Sequence, residues 1–494
     1  MPDYIPSMGL EVHAELSTRT KVFCGCSTAV GAPPNTQVCP VCLGFPGALP
    51  VLNERVVEYG LRAALAMNCK ISRPSIFERK GYYYPDLPKN FQISQKRSPI
   101  GVGGYIEVGV NGSSKRVRIA DVHIEEDAAK LLHPEDDPQH SLVDFNRGGV
   151  GLLEIVSQPD MNSVAEVEAY MNAIRSMLRY LDISDARMEQ GQLRFEASVS
   201  VRPEDREELG TRVEIKNLNS FRAVIGAVEY EIRRQTAAVE KGEAIHQETR
   251  LWDDIRNITA TMRRKETSDD YRYFPEPDLV PLDIDDDWIA RVRAELPELA
   301  EHRARRFVAD YELTEYDANI LTTEKALADL FEGTLKAGAP AKAAANWITG
   351  RLLRLVNEGR VYSVLEMALT PKELADLLKK IDAGVVGGPA ARQVFDQLAT
   401  TRVVKAQDSF TVTESASVAD LIEELDLSQI SDRDQIAAII QEVIAEHADA
   451  VENYRGGKES ALKFLVGQVM RKTKGRANPQ LATELLSKAI GDAS

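Results

Sequence analysis

The residues best suited to chemistry begin near the start of this 494-residue chain. Glu11-Val12-His13-Ala14-Glu15-Leu16 alternates polar with apolar side chains. On a strand this puts Glu11, His13 and Glu15 on one face and Val12, Ala14 and Leu16 on the other. A carboxylate and an imidazole two residues apart can face one metal ion, although a solvated outer face gives the same pattern. Three further features favour the ion. His123-Ile124-Glu125-Glu126-Asp127 follows a strand with three acids. Glu154 stands isolated between Leu152-Leu153 and Ile155-Val156, the setting of a strand-edge residue or of a paired functional carboxylate. Asp144-Phe145-Asn146-Arg147-Gly148-Gly149 places polar groups on a Gly-rich turn. Several oxygen ligands with one imidazole suit Mg²⁺ and a bound phosphate.

A second cluster has softer ligands. Cys24-Gly25-Cys26 is followed by Cys39-Pro40-Val41-Cys42. Two close pairs at this separation can close a tetrahedral thiolate site for zinc, the alternative being four unrelated buried thiols. Four sulfur ligands leave no position for water, so this zinc would be structural and would pin a loop lacking its own core. Cys69 stands apart and reads as core. Arg79-Lys80-Gly81-Tyr82-Tyr83-Tyr84-Pro85-Asp86 sets cations beside aromatics, fit to hold phosphate and stack a base, or else to form a tyrosine-rich core corner.

Other chemistries lack their signatures. There is no Gly-x-x-x-x-Gly-Lys-Ser/Thr loop. Gly101-Val102-Gly103-Gly104 precedes a strand and reads as a turn. Ser113-Ser114 lies in a hairpin turn without an activating lysine, so no amidase nucleophile is read there, and no cysteine carries a glutaminase signature.

The elements that must position these groups are read from periodicity. Leu193 to Arg202 alternates as a strand, and Tyr105–Val110 with Arg116–Ile119 forms a hairpin around Asn111-Gly112-Ser113-Ser114. Residues 164–181 and 221–239 read as helices. Beyond about residue 290 the pattern is helical. Trp347, Ile348, Leu352, Leu355 and Val356 sit near helical spacing, and Thr370-Pro371-Lys372-Glu373 is a capping box with Pro at the first helical position. Ser431 and Asp434 open another helix, and Asn478-Pro479 opens the last. The expected class is α+β: a mixed α/β domain over 1–290, an all-α helical domain over 291–407 and a further helical segment over 408–494. Asp283-Ile284-Asp285-Asp286-Asp287 marks the first boundary and Gln407-Asp408-Ser409 the second.

A net charge of −16 excludes a protein that coats nucleic acid by bulk charge. Local basic patches remain possible. From Arg455 to Arg476 seven cations, among them Arg471, Lys472 and Lys474, meet one acid, Glu459, for a local charge of +6. Charge alone favours a solvated helix end. Met1-Pro2-Asp3-Tyr4 does not open a signal peptide, and no apolar run is long enough for a bilayer, so the expected location is the cytoplasm, with no membrane partner.

Together these segments resemble the B-subunit family of bacterial aspartyl/glutamyl-tRNA amidotransferases. The resemblance rests on Gly9-Leu10-Glu11-Val12-His13, Phe45-Pro46-Gly47-Ala48-Leu49-Pro50, the Arg79–Asp86 run, Phe91-Gln92-Ile93-Ser94-Gln95, Glu125-Glu126-Asp127-Ala128 and Leu153-Glu154-Ile155-Val156-Ser157. Lys216-Asn217-Leu218-Asn219-Ser220, Asp269-Asp270-Tyr271-Arg272-Tyr273-Phe274-Pro275 and Phe464-Leu465-Val466-Gly467-Gln468-Val469-Met470 continue it over essentially the whole chain.

The resemblance implies a cradle-shaped catalytic domain, a helical domain and a tail that holds tRNA. It implies a carbon–nitrogen ligase that uses ATP and Mg²⁺ to phosphorylate the side-chain carboxylate of Glu on tRNA(Gln) or Asp on tRNA(Asn). Ammonia from a separate amidase (glutaminase) partner, the A-subunit, then gives the amide, and a small C-subunit completes a heterotrimer. Carried over by position, Glu11, His13, Glu126 and Glu154 become the catalytic and magnesium-site residues. Arg79, Lys80, Tyr82, Asn146 and Arg147 become candidates for ATP or the acceptor end, and Arg471, Lys472 and Lys474 for the tRNA body. Strand periodicity alone prefers Glu125, on the face of His123; Glu126 follows the resemblance, on the expectation that the acid run leaves the strand. Some family members lack the four cysteines, which implies that zinc supports the fold and not the reaction. Two other readings fit the motifs. One is the related archaeal-type protein specific for Glu-tRNA(Gln), which carries a large inserted domain. The other is a zinc-stabilised tRNA-binding adaptor without catalysis.

Overall fold

The computed structural model describes residues 4–110, 112–134, 137, 139–264, 271–361, 369–400, 404–406, 409–411, 417–430, 432–473 and 475–491. The chain forms two compact units, Met1–Leu299 and Ala300–Ser494.

In the first unit, alternating sequences become the strands of a nine-stranded sheet. These are β1 (Tyr4–Glu15), β2 (Lys70–Ile71), β5 (Gly101–Val110), β6 (Ser113–Glu126), β9 (Gly151–Ser157), β10 (Leu193–Pro203), β11 (Val213–Leu218), β12 (Glu248–Asp253) and β13 (Ile258–Arg264). Their order is β13-β12-β11-β10-β1-β9-β6-β5-β2. All neighbours are antiparallel except β11 and β12. The helices α1 (Glu54–Ala66), α2 (Val164–Tyr180) and α3 (Phe221–Glu240) bury their apolar stripes against one face of this sheet. Leu10, Val12, Ala14 and Leu16 join that core, so the period of two that hides them turns Glu11, His13 and Glu15 to the other face. Two further ribbons, β3 (Glu78–Gly81) with β4 (Phe91–Ser94) and β7 (Lys130–Leu132) with β8 (Leu142–Asp144), complete the frame. The short β14 (Phe274–Pro275) adds a third strand beside β3.

Several expectations change here. Gly101–Gly104 is not a turn but the start of β5, where a Cβ on Gly101 would lie 2.7 Å from that of Ala64; the glycine lets helix α1 approach the sheet. Ser113-Ser114 begins β6, with Ser113 opposite Val110; Asn111 of this hairpin lies outside the described residues. The acidic run Asp283–Asp287 lies shortly before the end of the first unit at Leu299. Asp285 caps α4 (Asp286–Ala294), whose Val292 enters the first core.

The second unit holds two apolar clusters. One is built on residues 304–427, with Phe307, Phe331, Leu352 and Phe395 fully buried, and the other on 436–490, around Ile436, Ile440, Leu465, Val469 and Leu486. The capping box at Thr370 forms, and Asn478 caps the last helix through Gln480 N and Leu481 N. Asp432 caps the 433–446 helix; Ser431, expected to open it, lies outside the described residues. The all-α expectation misses one two-stranded ribbon, Val404–Ala406 with Ser409–Thr411. Gln407 and Asp408, the expected second boundary, also fall outside the described residues, as do Met1–Asp3, Asp269 and Asp270. Among the described residues no helix is long and apolar enough to cross a membrane.

Candidate active site and cysteine centre

Three strands converge on one rung. His13 of β1 and His123 of β6 both stand opposite Glu154 of β9. Their ring Nε2 atoms lie 3.4 and 2.9 Å from Glu154 Oε2. Two residues along on the same face, Glu11 Oε1 and Glu125 Oε1 sit 3.6 and 3.8 Å from His13 Nε2. The triads Glu11/His13/Glu154 and His123/Glu125/Glu154 each bring their ligand atoms within 4.8 Å of one another. Glu154 is thus not a strand-edge acid but the shared centre of a buried cluster. Asp121 Oδ1 meets His123 Nδ1 at 2.9 Å and orients the ring.

The acid run does not leave the strand. β6 continues through Glu126, and alternation sends Glu125 and Glu126 to opposite faces. Glu126 accepts from Lys89 Nζ and from Ile93 N at 2.9 Å, in a cavity of about 200 Å³ shared with Cys24 and Cys42. Strand periodicity is the better guide here, and Glu125 rather than Glu126 joins the histidines.

Charges in the cluster balance by sharing protons. Burial would discharge both histidines, but Glu154, Glu125 and Glu11 hold His13 up at about 9, and Glu154 with Asp121 holds His123 up at about 10. Burial pushes Glu154 upward too, yet His123 and His13 keep it well below the carboxylate range. Glu11 rises to about 8 through burial and the neighbouring Glu154 and Glu196. Burial and Glu154 also raise Glu125. Three carboxylates and two imidazoles in this arrangement have the donor set for a hard divalent cation, which would displace the protons they share.

A cavity of about 260 Å³ opens beside this cluster, lined by His13, Glu125, Lys80, Tyr82, Arg194, Glu196, Asn217 and Asn219 among others. Lys80 Nζ lies 5.3 Å from the ring of Tyr271 and 5.7 Å from that of Tyr82. Burial would discharge it, but Glu125, Tyr273 and Glu154 raise its affinity for the proton. Asn217 takes a left-handed backbone (φ 65°), and its side-chain amide donates to the carbonyl of Trp252 at 3.0 Å. The other candidates have different work. Arg79 forks onto Glu276 at 2.7 and 2.8 Å, reaches Asp278 and covers the ring of Phe91. Asn146 braces the cysteine loop through Gln37 N and the carbonyl of Pro33. Arg147 bonds the carbonyls of Ala128 and Ala129 and lies 3.6 Å from Asp127, which Arg194 also holds, at 2.9 Å. Sequence reasoning misses Arg194. Its only signal is an outward position on a strand, next to Leu193 and opposite His13.

The four cysteines also converge. The Sγ atoms of Cys24, Cys26, Cys39 and Cys42 all lie within 4.8 Å of one another, and those of Cys39 and Cys42 are 3.9 Å apart. A tetrahedron of sulfurs around zinc has edges of about 3.8 Å, given Zn–S near 2.3 Å. The cluster could therefore bind a metal such as zinc. Its bonds from Cys24 and Cys39 pull the Cys42 thiol down to about 4, while Cys24 is pushed up through its bond to Cys42. Cys69 is buried core, as expected.

In the second unit, Arg471 is exposed, Lys472 Nζ donates to Glu442 at 2.8 Å and Glu446 at 2.7 Å, and Lys474 lies outside the described residues.

Residues 6–290 match a family described as the GatB/GatE catalytic domain, and residues 329–490 match one described as the GatB domain. The chain is similar along its length to proteins named as the B-subunit of aspartyl/glutamyl-tRNA(Asn/Gln) amidotransferase. That of Thermoanaerobacter sp. (strain X514) is 49% identical over 488 residues, covering 99% of each chain. That of Moorella thermoacetica is 49% identical over 490 residues, covering 99% of this chain and 100% of the other. The Caldicellulosiruptor bescii protein is 45% identical over 490 residues, again 99% of each.

Proposed function

The chain belongs to the B-subunit family of aspartyl/glutamyl-tRNA(Asn/Gln) amidotransferases, which serve translation, and from that membership we propose that its sheet face is the amide-forming centre. The reaction is a carbon–nitrogen ligation. The side-chain carboxylate of Glu on tRNA(Gln), or of Asp on tRNA(Asn), takes the γ-phosphoryl group of ATP and releases ADP. Ammonia displaces the phosphate to leave Gln-tRNA(Gln) or Asn-tRNA(Asn). The activation is needed because a carboxylate at neutral pH is a poor electrophile.

The observation that carries this reading is the convergence of His13, Glu154 and His123 on one rung, flanked by Glu11 and Glu125. These residues would hold Mg²⁺, which offsets the charge of ATP and of the phosphoryl group in transfer. Lys80 supplies a cation on the wall where an acyl phosphate would lie, and the Tyr82 ring offers a surface for the terminal adenosine. Arg147 acts through Asp127. Arg79 and Asn146 brace the frame.

The cysteine centre holds a structural zinc in this reading. The ammonia comes from the amidase partner, and a small third protein completes the cytoplasmic heterotrimer. Residues 408–494 form a tail that meets the tRNA body, with Arg471, Lys472 and Lys474 on its phosphates; the apolar cluster over 436–490 supports a part of it that packs by itself, while Val418, Ile422 and Leu427 join the cluster before it. Catalytic, helical and tail domains then succeed one another along the chain, the first running to Leu299.

The test is to purify the chain with both partners and supply ATP, Mg²⁺, glutamine and each mischarged tRNA. ATP consumption should require the mischarged tRNA and should yield the amidated product. A non-catalytic adaptor would leave ATP consumption indifferent to the tRNA.

A further inference from the structure

One buried charge in the first unit has no part in amide formation. Lys21 has no exposed surface. Its Nζ donates to Cys42 Sγ at 3.6 Å and to the carbonyl of Phe145 at 3.1 Å. Among the described residues no carboxylate lies within ion-pair distance of it. The other two cations lining the same cavity are matched, Lys89 by Glu126 and Arg79 by Glu276 and Asp278. A fully buried lysine bonded only to a carbonyl and a neutral thiol would be strongly unfavourable, so the sulfur it meets must carry charge. A metal centre changes that balance. Zinc with four thiolates carries a net charge of about −2, and Cys42 is one of the four ligands.

We infer that Lys21 is the counter-ion of the cysteine metal centre, offsetting thiolate charge through its Nζ–H···Sγ bond to Cys42. It also ties the centre to the turn that ends at Gly149. Val22 N, next in the chain, donates to the Gly149 carbonyl at 2.9 Å, and Gly149 N donates to the Asp127 carbonyl at 2.9 Å. Gly149 adopts φ 83°, a conformation that a side chain would strain. Lys21 is therefore a positioning residue, joining the cysteine loop to the end of β6. The inference rests on the zinc reading above, since the four thiolates of a metal-bound cluster supply the charge that it offsets.

The experiment uses the full-length chain loaded with zinc, and in parallel with Co²⁺. In Lys21→Met, which keeps the volume and loses the charge, zinc affinity should fall about 10–100-fold, the usual effect of losing a hydrogen-bonded partner of a metal ligand, and release of zinc to a chelator should quicken accordingly. The sulfur-to-cobalt charge-transfer band should move to longer wavelength, because a thiolate freed of its N–H bond is more electron-rich; mere loosening of the loop would not move it. Should Lys21→Met fail to fold, Lys21→Gln, which keeps a donor but no charge, should show faster release with a smaller band shift. Wild-type protein without zinc overturns both the zinc reading and the counter-ion. Wild-type protein with zinc, and variants with unchanged release and an unchanged band, overturns the role of Lys21 alone.

Discussion

The two metal-type clusters of the first unit are built in opposite ways. The cysteine centre is local: its ligands span Cys24 to Cys42, on a loop with little regular structure. The carboxylate–histidine cluster is assembled from strands far apart in sequence, with Glu11 and Glu154 brought together only by the β1–β9 register. The local cluster holds four soft sulfurs brought together by neighbours in the chain, a set that could bind a metal such as zinc. The assembled one holds charges that already neutralise one another across a rigid sheet. A loop can be pinned by a metal, whereas a sheet can present a reactive one at fixed geometry.

The sharpest way to break this comparison is at its centre. Glu154→Gln removes the carboxylate that both histidines face. Transamidation by the assembled enzyme should fall by at least about a hundredfold, with partner glutaminase activity intact, as measured by amidated tRNA and by glutamate release. Near-normal transamidation would remove Glu154 from the metal site. On the other side, Cys39→Ser should take zinc from about one ion per chain to none and expose the loop to proteolysis. Loss of zinc without any change in protease sensitivity would show that the loop stands without it.

Glu125 and Glu126 sharpen the comparison within one strand. Glu125→Gln should weaken Mn²⁺ or Mg²⁺ binding at the histidine cluster by about tenfold or more, whereas Glu126→Gln should leave that affinity unchanged and act through the stranded Lys89. Titration calorimetry on the two variants decides between them; equal losses would mean that the strand twists enough to bring both acids to one site.

The smallest expected effect is on pH. His13 and His123 are raised from the ordinary 6.5 to about 9 and about 10, so the stability they contribute without metal is present below about 6.5 and is lost as pH rises through 9 to 10. Glu11, raised from 4.5 to about 8, acts in the same direction between those values. The metal-free chain should therefore melt lower at pH 9 than at pH 6.5. Divalent-ion binding should tighten over the same interval, because the ion competes with those protons. Melting curves that coincide at the two pH values would mean that the cluster is not protonated as described.

Much of this is legible in the sequence. The cysteine spacing needs nothing beyond chain proximity, so its convergence can be read directly. The alternation of residues 11–16 settles which side chains share a face, because the strand period is two whatever the surroundings. The same rule, applied strictly, points to Glu125; Glu126 fits only if three acids in a row end the strand. They do not end it, because Glu126 has its own buried partners, Lys89 and Ile93 N, on the opposite face. Arg79, Asn146 and Arg194 cannot be sorted in the same way. A cation beside aromatics looks alike whether it faces a ligand or a buried Glu276.

By itself, then, the sequence determined the features set by near neighbours: which residues alternate, where helices are capped, and which four sulfurs sit on one loop. Only the tertiary structure decided that β9 lies between β1 and β6 in the register that sets Glu154 between two histidines. Register depends on packing α1, α2 and α3 beneath the whole sheet, a sum over many distant apolar contacts that no single segment contains.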